Sequence, residues 1–197
     1  MIDFLNQQWW LAIALQAVLL IANRYLTIVS AKVHKAYANE HIVFENGYEL
    51  NPIFEKSVAQ IQWFTRRHFL FLLMNCISLV IARLVISISF FEFLIGGCLL
   101  LGLYIDLRCL LNIVHFRDMR NPNSVTGRIE YSYWISQRAS ATSFITQSVL
   151  LSIAAVATQR PFFWGGVAGC LLLSFRDFLL ANRKFPQTEN ALPQKER

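Results

Sequence analysis

The sequence predicts an all-α, polytopic membrane protein: a bundle of about five transmembrane helices with one interfacial amphipathic helix. Three observations predict it. Of the 197 residues, 55% are hydrophobic and only 15% charged, with a mean hydropathy of +0.43, an apolar excess that a water-exposed surface of this size does not carry. Five windows are long enough to cross about 30 Å of hydrocarbon, which takes about 20 residues at about 1.5 Å each. The prolines, Pro52, Pro122, Pro161, Pro186 and Pro193, all fall outside those windows, where a missing N–H and a clash with the preceding turn do no damage. The same composition excludes a disordered chain, a disulfide scaffold and a water-soluble enzyme.

The windows are 9–29, 68–87, 91–111, 134–157 and 162–182, read as unbroken spans of a single transmembrane domain covering 1–182. The fourth is the least regular, because Ser136-Gln137-Arg138-Ala139-Ser140 makes its first turns polar. Span one is too long for the apolar part of a signal peptide and is preceded by Asp3 with no Lys or Arg, so it is expected to stay in the mature chain.

Orientation follows from the cations, since Lys- and Arg-rich loops stay cytoplasmic. Lys32, Lys35, Lys56, Arg66 and Arg67 lie in the loop 30–67, Arg117, Arg120 and Arg128 in the loop 112–133, and Arg183, Lys184, Lys195 and Arg197 in the polar tail 183–197. Between spans on the other side stands only Arg160. The N-terminus is therefore expected outside and the C-terminus in the cytoplasm, an arrangement that fits a bacterial inner membrane best. Trp9, Trp10 and Trp164 at outer ends and Trp63 and Trp134 at inner ends match the depth that amphipathic rings prefer. A net charge of +6 is then a basic cytoplasmic face facing the bilayer and its anionic lipids, and calls for no nucleic acid.

In the first loop, Asn46-Gly47 signals a turn, and Asn51-Pro52 reads as a helix cap followed by proline at the first helical position. Ile53, Phe54, Val58 and Ile61 then share one face, with Glu55, Lys56 and Gln60 on the other, so this segment is expected to lie flat on the inner leaflet. His41 and Glu45 at helical spacing would make half of a divalent-metal site. No second His or Cys stands at ligand spacing, however, so a solvated polar loop is the preferred reading and no metal is expected. The second loop is turn-rich at Asn121-Pro122-Asn123, and the tail after Asn182 is expected to be disordered.

Small residues set the expected packing. Gly165 and Gly169 form a ridge on span five, and Ser148 and Ser152 another on span four, so those two helices are expected to approach closely within the chain. Spans three and five also echo each other at an offset of 72, Gly97-Cys98-Leu99-Leu100-Leu101 matching Gly169-Cys170-Leu171-Leu172-Leu173, a weak sign of a duplicated helical hairpin. Cys76, Cys98, Cys109 and Cys170 lie inside spans without CxxC spacing and read as small apolar residues.

Chemistry, if any, rests on charges inside the spans. Arg24, Asp106, Arg108, Arg138, Arg176 and Asp177 fall at similar depth in the inner third, while Arg83 and Glu92 face each other across the outer turn, placed to pair. Residues one or two apart point to different helix faces. Arg176 and Asp177 are therefore expected to find partners across helices, as Asp106 with Arg176 and Arg108 with Asp177, supported by Asn23, Asn75, Asn112, Gln137 and Gln147. With four arginines against two aspartates, such a belt has a surplus of positive charge that would receive an anion or a lipid headgroup. Alternatively, the arginines snorkel and the pairs hold the bundle together.

No HExxH, GxSxG, GxxxxGK or GxGxxG occurs, no cofactor is implied, and no helix is broken at mid-span. The leading expectation is a non-enzymatic integral membrane protein, a subunit or accessory factor of a membrane assembly with a membrane-protein partner. The rival is a small transporter or lipid-handling protein with Arg24, Asp106, Arg108, Asn112, Arg138, Arg176 and Asp177 as its binding site.

Overall fold

A computed structural model describes residues 7–45, 53–121 and 125–189. The chain is mostly helical, and five helices are long and apolar enough to cross a membrane. Helix α1 is Trp9–Val33, followed by a wider π-helical turn His34–Ala38 and strand β1, Ile42–Phe44. A short helix α2, Glu55–Ala59, precedes α3, Arg66–Ile81, which ends in a second π segment, Ala82–Ile86. Then come α4, Ile88–Asp118, strand β2, Ile129–Tyr131, and the hairpin of α5, Tyr133–Thr158, and α6, Pro161–Glu189.

The apolar windows locate the long helices, but α1, α4 and α6 run several residues beyond them. Helix α4 has 31 residues, about 46 Å at about 1.5 Å per residue, and so carries His115, Arg117 and Asp118 as a helical extension of what reads as loop. Helix α6 continues past Asn182 to Glu189, which corrects the expectation of a disordered tail there. In α5 the polar first turns are helical from Tyr133: Gln137 and Ser140 are buried between helices, so polarity marks an inward face there and not a loop.

The fold also contains a small parallel sheet. Strand β1 pairs with β2 in the register Ile42 with Ile129, Val43 with Glu130 and Phe44 with Tyr131, joining the two long loops at one end of the bundle. Phe44 stacks on Tyr131 at 5.8 Å between centroids, and Glu45 accepts a 2.9 Å hydrogen bond from the Tyr133 N–H at the start of α5. His41 Nδ1 is 3.0 Å from Gly127 O. His41 and Glu45 thus flank a strand instead of sharing a helical face, and both act as fasteners of this clasp.

Helix α2 is not the surface-lying helix expected. It has five residues, and its apolar side is spent on α1: Val58, Ile28 and Ala31 form one buried cluster, with Phe54 and Ile61 against it. The segment closes with Ile61 N–H to Val58 O at 2.9 Å and Gln62 N–H to Ser57 O at 2.8 Å, a helix-ending motif whose left-handed residue is usually glycine. Here Ile61 takes φ 56°. The Asn46-Gly47 turn and the Asn51-Pro52 cap lie outside the described residues.

The glycine ridge of α6 packs on α4 and not on α5. A Cβ on Gly165 would overlap the carbonyl oxygen of Phe93 and stand 2.9 Å from Gly97 N, and one on Gly169 would touch Gly97 O at 3.7 Å. Contacts advance together along both chains, so α4 and α6 run parallel at backbone-to-backbone distance. Ser148 and Ser152 hydrogen-bond to carbonyls of their own helix. The α5–α6 contact instead centres on Phe144, Leu151, Ala155, Val167 and Cys170. A second core gathers Ala12, Ile13, Leu79, Phe91, Ile95, Leu99 and Phe162 at the end away from the clasp.

Candidate functional site

The inner-third charges do not form one belt. They separate into stations, because equal depth fixes only height on a helix and leaves the direction around its axis open.

Arg24, 6% exposed, is turned from the bundle onto the first loop. Its guanidinium donates to Ser57 Oγ at 3.1 Å, to Gln62 O and to Trp63 O at 3.4 Å, and lies over the Phe54 ring at 5.8 Å. It satisfies carbonyls that the chain leaves open after the left-handed Ile61 and so holds α2 against α1.

Arg108 stands between α4 and α5. Its guanidinium lies over Phe144 at 5.4 Å and Tyr104 at 5.9 Å, with a long 3.4 Å hydrogen bond to Ser140 Oγ. The Tyr104 hydroxyl is bound in turn to Ser143, to its Oγ and to its carbonyl at 3.2 Å. Arg138 is exposed on α5, over Trp134 at 5.3 Å and Phe178 at 6.0 Å. Asn112 is half-buried on α4, one turn after Arg108.

Arg176 and Asp177 pair with each other, contrary to the expectation from helix geometry. Arg176 Nε and Nη2 both donate to Asp177 Oδ1, at 2.8 and 2.6 Å. The Arg176 side chain is 41% exposed and the Asp177 carboxylate 1%. Adjacent residues diverge at Cβ, but the arginine stem is long enough to wrap back to the neighbouring carboxylate while its head stays near the surface. The cross-helix pairs Asp106 with Arg176 and Arg108 with Asp177 do not form. On α5 the Tyr133 hydroxyl accepts a 2.8 Å hydrogen bond from Gln137 Nε2. Arg83 makes no ion pair with Glu92; its Nε is buried without a hydrogen bond.

Asp106 is 5% exposed, on the face of α4 that packs along α1, with Asn23 beside it. Gln16 approaches Gly102 one turn earlier, and Thr27 Oγ1 lies 3.7 Å from Cys109 Sγ one turn later. At the clasp end, His34 sets its ring 5.0 Å from Phe116 and its Nε2 2.9 Å from Ile42 O. The register advances the same way on both helices, so α1 and α4 are parallel neighbours joined by a polar seam. Of this seam, reading charges alone finds only Asp106, with Asn23 as a helper. The signal that finds the rest is Gln16, Asn23, Thr27, Ser30 and His34 recurring at intervals of seven, four, three and four on an otherwise apolar helix.

Among the described residues, no group of three or more His, Cys, Asp or Glu is placed to hold a metal ion. No family model, curated protein or solved structure matches the chain.

Proposed function

We propose that the chain is a non-enzymatic integral membrane protein, a subunit or accessory factor of a membrane assembly, and that α3 is the helix that meets the partner. The observation that carries this is the packing of α3. It buries only His68 and Leu79 of its 16 residues, against seven of 26 in α5. Helices in lipid are held by close packing and interhelical hydrogen bonds. The hydrogen bond that α3 offers toward α4 is Asn75 Nδ2 to Cys98 Sγ at 3.7 Å, while Met74, Leu84 and Val85 point outward at 61%, 67% and 74% exposure. The expected occupant is an apolar helix of a second membrane protein.

The test is photo-crosslinking in the native membrane from Leu84 and Val85, with the equally exposed Ile153 on α5 as control. A single protein crosslinked from α3 and not from Ile153, and kept at fixed stoichiometry in native mass spectrometry, supports the reading. Lipid alone at all three positions overturns it.

A second reading has one observation in its favour. Arg108 is half-buried among aromatic rings and makes no ion pair among the described residues, so it retains the capacity to receive an anion such as a lipid headgroup. Retained anionic lipid that is lost in Arg108→Ala supports it. The placement we propose, in a bacterial inner membrane with the clasp end and its anionic lipids on the cytoplasmic side, is tested by labelling Asn6→Cys and Thr188→Cys from either side. Labelling from the same side overturns it.

A further inference from the structure

We propose that the seam between α1 and α4 binds a small monovalent cation, a proton or an alkali-metal ion, held at Asp106. Two buried oxygens without a hydrogen bond lie along this one contact, Asp106 Oδ1 and Gln16 Oε1, and the side chain of Asn23 sits beside the carboxylate. Orphaned buried polar atoms are uncommon in folded proteins, and each needs a partner. Gln16 is 2% exposed and Asp106 5%, so bulk water does not supply one.

The charge balance gives the ligand its sign. A carboxylate in an apolar seam is costly unless a cation compensates it, and the cations near Asp106 are engaged elsewhere. On α1, Arg24 is bound to loop carbonyls and His34 to Ile42 O. On α4, Arg108 is turned to Ser140 and Phe144, and Cys109 meets Thr27. On α6, Arg176 is spent on Asp177, and on α3 His68 packs against Phe54. None of these forms an ion pair with Asp106.

The donor set gives the ligand its class. One carboxylate and one neutral amide oxygen match a single positive charge, whereas a divalent ion recruits more oxygen ligands. Gly102 brings α4 close to Leu19 and Gln16: a Cβ there would stand 3.7 Å from Leu19 Cβ and 3.9 Å from Gln16 Oε1, in ordinary contact with both. From Asp106 the polar line continues through Thr27, Ser30 and His34 toward the clasp end, which is the direction of entry.

The experiment uses the purified full chain in nanodiscs of zwitterionic phosphatidylcholine. Thermal unfolding is followed as NaCl replaces choline chloride at constant ionic strength, and the protonated-carboxyl C=O band is followed by infrared difference spectroscopy across a pH series. A Na+-dependent rise in midpoint that Asp106→Asn abolishes establishes an alkali-ion site. A pH-dependent acid band that is absent in Asp106→Asn and indifferent to Na+ establishes a proton site. Equal midpoints in both salts, with no Asp106 acid band at any pH tested, overturn the proposal.

Should Asp106→Asn fail to fold, Asn23→Ala removes the neighbouring amide and keeps the carboxylate. It is expected to weaken the Na+ response about tenfold or to shift the acid band. No change in either measurement overturns the proposal.

Discussion

Arg176 neutralises the residue that follows it in the chain: both of its donating nitrogens converge on one oxygen of the buried Asp177 carboxylate. The pair is built within a single helix, so these two charges form a nearly neutral unit.

Arg176→Leu should therefore strand Asp177 and destabilise the fold. Unpairing a fully buried ion costs about 3–5 kcal/mol. The guanidinium here is partly solvated, so we expect about 1–3 kcal/mol, read as a lowered unfolding midpoint in detergent. The double variant Arg176→Leu/Asp177→Asn should recover most of the loss. A double variant no better than the single one would show that Asp177 is needed for something other than this pair.

Gly165→Ala should be more damaging than an alanine elsewhere on α6. Its methyl group has to displace the Phe93 carbonyl, which pushes α4 and α6 apart, and overpacking of this kind costs about 1–3 kcal/mol. Leu172→Ala, at an outward-facing position 69% exposed, is the comparison. Equal midpoints for the two would contradict the close helix contact.

The clasp predicts a crosslink. Val43 and Glu130 are directly paired across the strands, and neighbouring strands run about 4.8 Å apart, within the reach of a disulfide. In a background with Cys76, Cys98, Cys109 and Cys170 replaced by serine or alanine, Val43→Cys/Glu130→Cys should oxidise readily. After proteolysis in the second loop its fragments should stay joined until reduced. Val43→Cys/Ile153→Cys should not crosslink.

Arg24→Lys should loosen the first loop, because one ammonium cannot meet acceptors at Ser57, Gln62 and Trp63 from one fixed geometry. The expected loss is about 1–2 kcal/mol, and limited proteolysis should cut between Gln60 and Phe64 faster than in the parent chain. An unchanged rate would mean that Val58 and Phe54 hold α2 without the arginine.

These particulars show what the sequence carries and what it does not. Hydropathy located the five long helices because it reports which residues avoid water. It misplaced the ends of α4 and α6 because a helix need not stop where hydrocarbon would. Strands of three residues such as Ile42–Phe44 have no readable periodicity, and their partner is 87 positions away, so the clasp was invisible. Counting depth found Asp106 and Arg108 but could not say that one turns to α1 and the other to α5. Nor could it foresee that Arg176 bends back to its neighbour. The spacing of Gly165 and Gly169 marks a contact face; which helix it meets depends on the rotation of α6, and that is settled only by packing.

The clasp also sets an order on biogenesis. Strand β1 is synthesised early, yet it has nothing to pair with until Tyr131 has left the ribosome, by which time α1, α3 and α4 are complete. Until then its backbone groups lack their strand partner, and the α1–α4 seam forms without the tether that later pins its loop end. Closing the two loops on each other is therefore a late step. A nascent chain halted before Ile129 would have its first three long helices and no fastening between their connections.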